Sequence, residues 1–79
     1  MSVANKVRAL LQFKGMGNDK IAAALGITRQ GLNTKFYRDA FAVKDLIKIA
    51  EATNSKLLFQ DMDGMQIVLT GADVEDKEE

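Results

Sequence analysis

The sequence predicts a mainly α-helical domain: four short helices followed by a C-terminal β-hairpin. Three observations carry this. Apolar residues recur at three- and four-residue spacing through the first two thirds of the chain, the period of helices buried on one face. Gly15, Gly17, Gly26 and Asn54 separate those periodic stretches, and they are residues that tolerate the left-handed backbone at a helix end. After Asn54 the pattern changes to two β-prone runs flanking Asp63–Gly64, which is a hairpin signal.

The first helix is expected within "SVANKVRALLQFKG". Ser2 can cap it, and Val3, Val7, Leu10 and Leu11 share one face. Gly15 and Gly17 end it and form the connection. "NDKIAAALG" is a second, short helix. Asn18 or Asp19 suits its positive end, Ile21 and Leu25 form its apolar pair, and Gly26 stops it. Thr28 can cap a third helix from Arg29 to about Tyr37, docked by Leu32 and Phe36, with Asp39 and Ala40 in the connection that follows. "FAVKDLIKIAEATN" is the fourth, with Val43, Leu46, Ile47, Ile49 and Ala50 facing inward and Asn54 as its stop.

If Asp63 and Gly64 are the two turn residues, Met62 pairs with Met65, Gln60 with Ile67 and Leu58 with Leu69. Leu57, Phe59 and Val68 then occupy the opposite face, so both faces are partly apolar. A lone two-stranded hairpin is marginal in water. One face can lie on the helices, and a second copy of the chain is the economical cover for the other. The residues expected at such a dimer contact are Leu57, Phe59, Ile67, Val68 and Leu69. Residues 1–72 form the expected single domain, with the hairpin at about 56–70 and an acidic tail at 73–79 expected to be disordered.

Composition narrows the function. With 79 residues, no cysteine and no histidine, disulfides, thiolate chemistry, zinc sites and histidine acid–base catalysis drop out together. No nucleophile–base pair or phosphate-cradling loop is recognisable, so neither an enzyme nor a cofactor is expected, and no small-molecule ligand is evident. Asp61, Asp63 and Gly64 lack the rest of a calcium loop and read as a turn. Residues 1–11 mix Lys6 and Arg8 into their apolar positions, unlike a signal peptide, and no apolar run approaches a membrane span. A cytoplasmic, nucleoid-associated location follows as the expectation.

The formal net charge is zero but unevenly spread. Residues 1–44 hold eight Lys and Arg against Asp19 and Asp39, giving +6, whereas 73–79 hold five acids against Lys77, giving −4. A basic body points to an anionic partner, although small domains are often lopsided without one.

Two short helices joined by a glycine turn form a helix-turn-helix unit, whose second helix can enter a major groove. Ala22 permits close helix crossing, Gly26 the tight turn, and Ile21, Leu25, Ile27 and Leu32 the apolar wedge. Residues 18–37, "NDKIAAALGITRQGLNTKFY", resemble the helix-turn-helix of the lambda-repressor-like (Cro/XRE-type) DNA-binding family. The likeness rests on Ile21–Ala22, Leu25–Gly26–Ile27, Thr28–Arg29–Gln30 and Leu32. It extends over roughly residues 3–54, and the hairpin resembles more loosely the C-terminal strands by which some Cro-like members dimerise. The chain departs from the family pattern at Gly17, Asn18, Lys35 and Ala42.

The resemblance implies a four-helix domain whose third helix reads base edges, in a prokaryotic or phage regulator. Side-chain chemistry agrees. Gln30 and Asn33 can each make two hydrogen bonds to adenine, and Arg29 can do so to guanine or grip a phosphate. Thr28 and Thr34 can meet a thymine methyl or a phosphate, while Lys35, Arg38 and Asn18 suit the DNA backbone. The plain alternative for each is a solvated helix surface. Lys20 and Lys44 read as solvated lysines, Tyr37 as a packing residue, and Met62 and Met65 as hairpin packing. Gly31, which weakens the third helix, implies a close approach by the second helix or by DNA. The expected function is a homodimeric, sequence-specific double-stranded DNA-binding transcriptional regulator, acting as a repressor on a two-fold-symmetric operator. The alternative is a protein-interaction module, antitoxin-like or accessory, on the same scaffold.

Overall fold

The computed structural model describes residues 2–74. It is mainly helical, with a two-stranded antiparallel hairpin near its C-terminus. The order is α1 (Val3–Lys14), α2 (Asn18–Leu25), α3 (Arg29–Arg38), α4 (Val43–Ala52), β1 (Leu57–Gln60), β2 (Gln66–Leu69) and α5 (Gly71–Val74). Among the described residues, no helix is long and apolar enough to cross a membrane.

Each of the first four helices is closed by the same device. Gly15, Gly26, Asp39 and Asn54 have positive φ values of 66°, 70°, 54° and 57°. The next amide in each case, from Met16, Ile27, Ala40 or Ser55, donates back to a carbonyl of the last helical turns at 2.7–3.0 Å. This satisfies carbonyls that would otherwise lack a partner. Three of these stops are legible in the sequence; the fourth is Asp39, expected there only as part of a connection. The Asp39 carboxylate also accepts the amide of Ala4 at 2.6 Å, tying the end of α3 to the start of α1. Ser2 caps α1 through the Asn5 amide, as expected.

The core is built where α1, α2, α3 and α4 converge. Ile21 and Leu32 are fully buried, with Val7, Leu11, Ala22, Leu25, Phe36 and Ile49 around them. Phe41 meets Phe36 edge to face at 5.2 Å between ring centroids, and the Arg8 guanidinium covers Phe36 at 4.7 Å. Thr53 is buried, and its hydroxyl donates to the carbonyl of Ile49 at 2.8 Å.

Four expectations require correction. Val3 and Val43 are exposed; Ala4 takes the buried position of the first turn of α1, and α4 buries Ile47, Ile49 and Ala50. Tyr37, Met62 and Met65, expected as packing residues, are exposed instead, Tyr37 to 90% and Met62 fully. Asp73 and Val74, expected in a disordered acidic tail, belong to α5, and Asp73 accepts the amide of Thr70 at 2.7 Å. Residues 75–79 lie outside the described residues.

The fourth correction is the hairpin register. Leu57 pairs with Leu69, Leu58 with Val68, Phe59 with Ile67 and Gln60 with Gln66, one residue away from the register of a two-residue turn. The Asp61 carboxylate accepts the amides of Asp63 and Met65 at 3.0 and 2.9 Å, and only Gly64 of the loop has positive φ, 96°. A two-residue type I′ turn needs positive φ at both central positions, so the chain closes through the three residues Met62–Gly64 instead. The shift re-sorts the faces. Leu57, Phe59, Ile67 and Leu69 now share one face, and Val68 joins Leu58 on the other, beside a Gln66–Gln60 side-chain hydrogen bond of 3.1 Å.

Candidate nucleic-acid interface

Helix α3 is attached by a narrow stripe. Leu32 and Phe36 are buried and Lys35 is half-buried, whereas Arg29, Gln30, Asn33, Thr34, Tyr37 and Arg38 are all exposed. At about 100° per residue, those six exposed residues form one unbroken outer arc of the helix. Its N-terminus is held by Thr28, whose hydroxyl accepts the Gly31 amide at 2.9 Å. The turn before it is closed by Gly26, and Ile27 lies half-buried between α2 and α3.

The donors of the arc differ in how far protein groups already occupy them. Thr34 donates its hydroxyl to the carbonyl of Gln30 at 3.1 Å, which leaves its methyl and oxygen lone pairs for an outside partner. The Nε of Arg29 lies 3.0 Å from an Asp19 carboxylate oxygen, with both side chains largely exposed. Gln30, Asn33 and Arg38 present their side chains to solvent.

Lys35 is not part of this arc. Its ammonium is 2.9 Å from the Asp45 carboxylate, which also accepts the Ala42 amide at 3.0 Å. Burial pushes the Asp45 carboxyl up, but the hydrogen bonds from Lys35 and Ala42 and the charges of Lys35 and Lys44 outweigh it, leaving the group below its ordinary value. Ala42 has no side chain with which to cap α4. Asp45 therefore carries that cap from inside the first turn, and Lys35 is its counter-ion. Lys35, expected from the sequence to face a nucleic-acid backbone, is paired with Asp45 and joins α3 to α4.

Beside the N-terminal end of α3 lies a concavity of about 460 Å³, lined by Lys14, Gly15, Met16, Gly17, Asn18, Asp19, Lys20 and Arg29. Gly17 supplies no side-chain cap to α2, so the first amides of that helix lack a side-chain acceptor. Asn18, expected from the sequence, is thus joined by Lys14 and Lys20. Lys14, Lys20 and Tyr37 are the residues of this surface that sequence reasoning does not assign to it. Tyr37 follows Asn33 by four positions and Arg29 by eight, which places it on their side of α3. That spacing is a usable signal, masked by the frequency with which tyrosine is buried.

Gly31 is explained locally. A β-carbon there would sit 3.2 Å from the Thr28 hydroxyl and 3.7 Å from the Ile27 β-carbon, and no atom of α2 is among its nearest neighbours. The small residue keeps the capping hydroxyl in place, so close packing with α2 is not its reason.

The hairpin carries the second surface of note. Phe59 and Ile67 are 68% and 60% exposed on the shared apolar face. Leu57 at its base also lines a mainly apolar cleft of about 220 Å³ with Val3, Val7, Leu10, Leu46, Ile49 and Ala50. Of the five residues expected at a dimer contact, four thus share a face and Val68 stands opposite.

Comparison with protein-family models, with curated proteins and with solved structures returns no match.

Proposed function

We propose that the chain is a sequence-specific double-stranded DNA-binding regulator in which α2, the Gly26 turn and α3 act as a helix-turn-helix and α3 is the reading helix. The observation that carries this is the outer arc of α3, six polar or hydrogen-bonding residues on a helix docked by only two buried side chains. Arg29, Gln30 and Asn33 have the donor geometry for base edges. Tyr37 lies between Asn33 and Gln30 on the arc, and Thr28, Thr34 and Arg38 supply contacts toward the edges of the groove. Asn18, Lys14 and Lys20 line the concavity beside the Arg29–Asp19 pair and supply polar and cationic groups toward the DNA backbone.

One such helix reads few base pairs. The apolar hairpin face of Leu57, Phe59, Ile67 and Leu69 supports a homodimer, in which two reading helices would address half-sites about 34 Å apart. Regulation is then by occupancy, with repression as the simplest outcome.

Electrophoretic mobility shifts on duplexes selected from a random pool, at several salt concentrations, test this reading. A two-fold-symmetric motif and an affinity that falls steeply with salt are expected. No enriched motif and no binding at low salt would refute it.

The exposed hairpin face also favours a second reading, a protein-interaction module. Replacing Arg29 and Gln30 with Ala separates the two. Loss of DNA binding with self-association intact supports the regulator, whereas a protein partner retained equally by the double variant supports the module.

A further inference from the structure

The contact between Arg29 and Asp19 does little for the fold. The side chains are 69% and 74% exposed, and pairs this open to water contribute little to stability. It joins the first residue of α3 to the second of α2, at the edge of the arc assigned above to base reading. The Nε of Arg29 lies 3.0 Å from an Asp19 carboxylate oxygen, an ion-pair contact on the inner side of the guanidinium. That leaves the two terminal Nη groups, the pair that can donate together to O6 and N7 of one guanine. A free arginine samples many rotamers and grips any phosphate in reach. A carboxylate beside Nε biases the guanidinium toward conformers that present its Nη groups to a base, and the nearby negative charge disfavours a phosphate in the same place.

We propose that Asp19 is a positioning residue for specificity: it holds Arg29 so that the guanidinium reads a guanine in each operator half-site. This rests on the reading of α3 as the DNA-reading helix. It names a feature that the operator must contain and a residue off the reading helix that enforces it.

The test is parallel selection from a random duplex pool with the full-length chain and its Asp19→Asn, Asp19→Glu and Arg29→Ala variants, each scored position by position. The wild type is expected to demand guanine at one position per half-site, with discrimination of about 5- to 150-fold. Arg29→Ala should abolish the preference at that position alone. Asp19→Asn should weaken it by about fivefold or more while the other positions keep theirs, and Asp19→Glu should recover part of it. Thermal melts of all four proteins should nearly coincide, which separates positioning from folding. The proposal is overturned if the Arg29-dependent position is not guanine, or if Asp19→Asn leaves the guanine preference intact. In either case a selected motif still upholds the DNA-binding reading. If the wild type selects no motif, both fall together.

Discussion

Asp45→Ala is the substitution whose consequence is most fully set by the structure. The carboxylate is 11% exposed at its side chain and is bound by the Lys35 ammonium at 2.9 Å and the Ala42 amide at 3.0 Å. Removing an acceptor from a helix start costs about 0.5–2 kcal/mol, and a hydrogen bond to a charged group contributes about 1.5–3 kcal/mol. Both bonds end on the same oxygen, and Lys35 at 28% exposure can turn toward water, so the two costs do not add in full. A net loss of about 2 kcal/mol follows, which in a domain of this size lowers Tm by about 8–16 °C. Asp45→Asn should fall between the two proteins, because its amide oxygen can still accept from Ala42. The pH dependence has a definite sign. The folded carboxyl is held below its ordinary value, so its stabilisation is fully present above the unfolded pKa of about 3.9 and is lost as pH falls through the folded value. The difference between wild type and Asp45→Ala should be constant from about pH 6 to 7 and shrink below about pH 4. Urea titrations followed by circular dichroism measure it. A difference under about 0.5 kcal/mol at neutral pH, the ordinary range of surface substitutions, would refute the role given to the Lys35–Asp45–Ala42 cluster.

Three further outcomes are expected. Gly31→Ala should leave a folded protein whose stability changes by less than about 1 kcal/mol, the helix-propensity gain being offset by pressure on the Thr28 hydroxyl at 3.2 Å; a thermal melt checks this, and outright unfolding would contradict it. Tyr37→Ala should melt like the wild type, since Tyr37 is 90% exposed, yet bind its selected duplex about fivefold more weakly, as the loss of about one hydrogen bond requires; unchanged affinity would remove Tyr37 from the reading face. Phe59→Glu should yield a monomer in sedimentation equilibrium with its helical circular dichroism intact, and a wild type that stays monomeric at high concentration would remove the hairpin as the dimer contact.

Local chemistry determined much of this protein from sequence alone. Helix stops at Gly15, Gly26 and Asn54, caps at Ser2 and Thr28, and the Leu32–Phe36 stripe all depend on residues within about five positions of each other, a distance over which backbone and side-chain geometry is nearly fixed. The same locality makes the donor-rich arc of Arg29, Gln30, Asn33 and Thr34 legible in the sequence. What only the tertiary structure decided lies in contacts between elements. Lys35 and Arg38 are both basic residues in the last turns of α3, and only the position of Asp45 on α4 turns the first inward and leaves the second exposed. Asp39 closes α3 and also accepts the amide of Ala4, 35 positions away, a bond no local pattern predicts. The hairpin register was local in range but turned on one carboxylate, because Asp61 binds two loop amides and selects a three-residue closure. That single-residue shift gathered Leu57, Phe59, Ile67 and Leu69 onto one face. Side chains alternate across a strand, so a register is decided only when both strands and their loop are in place.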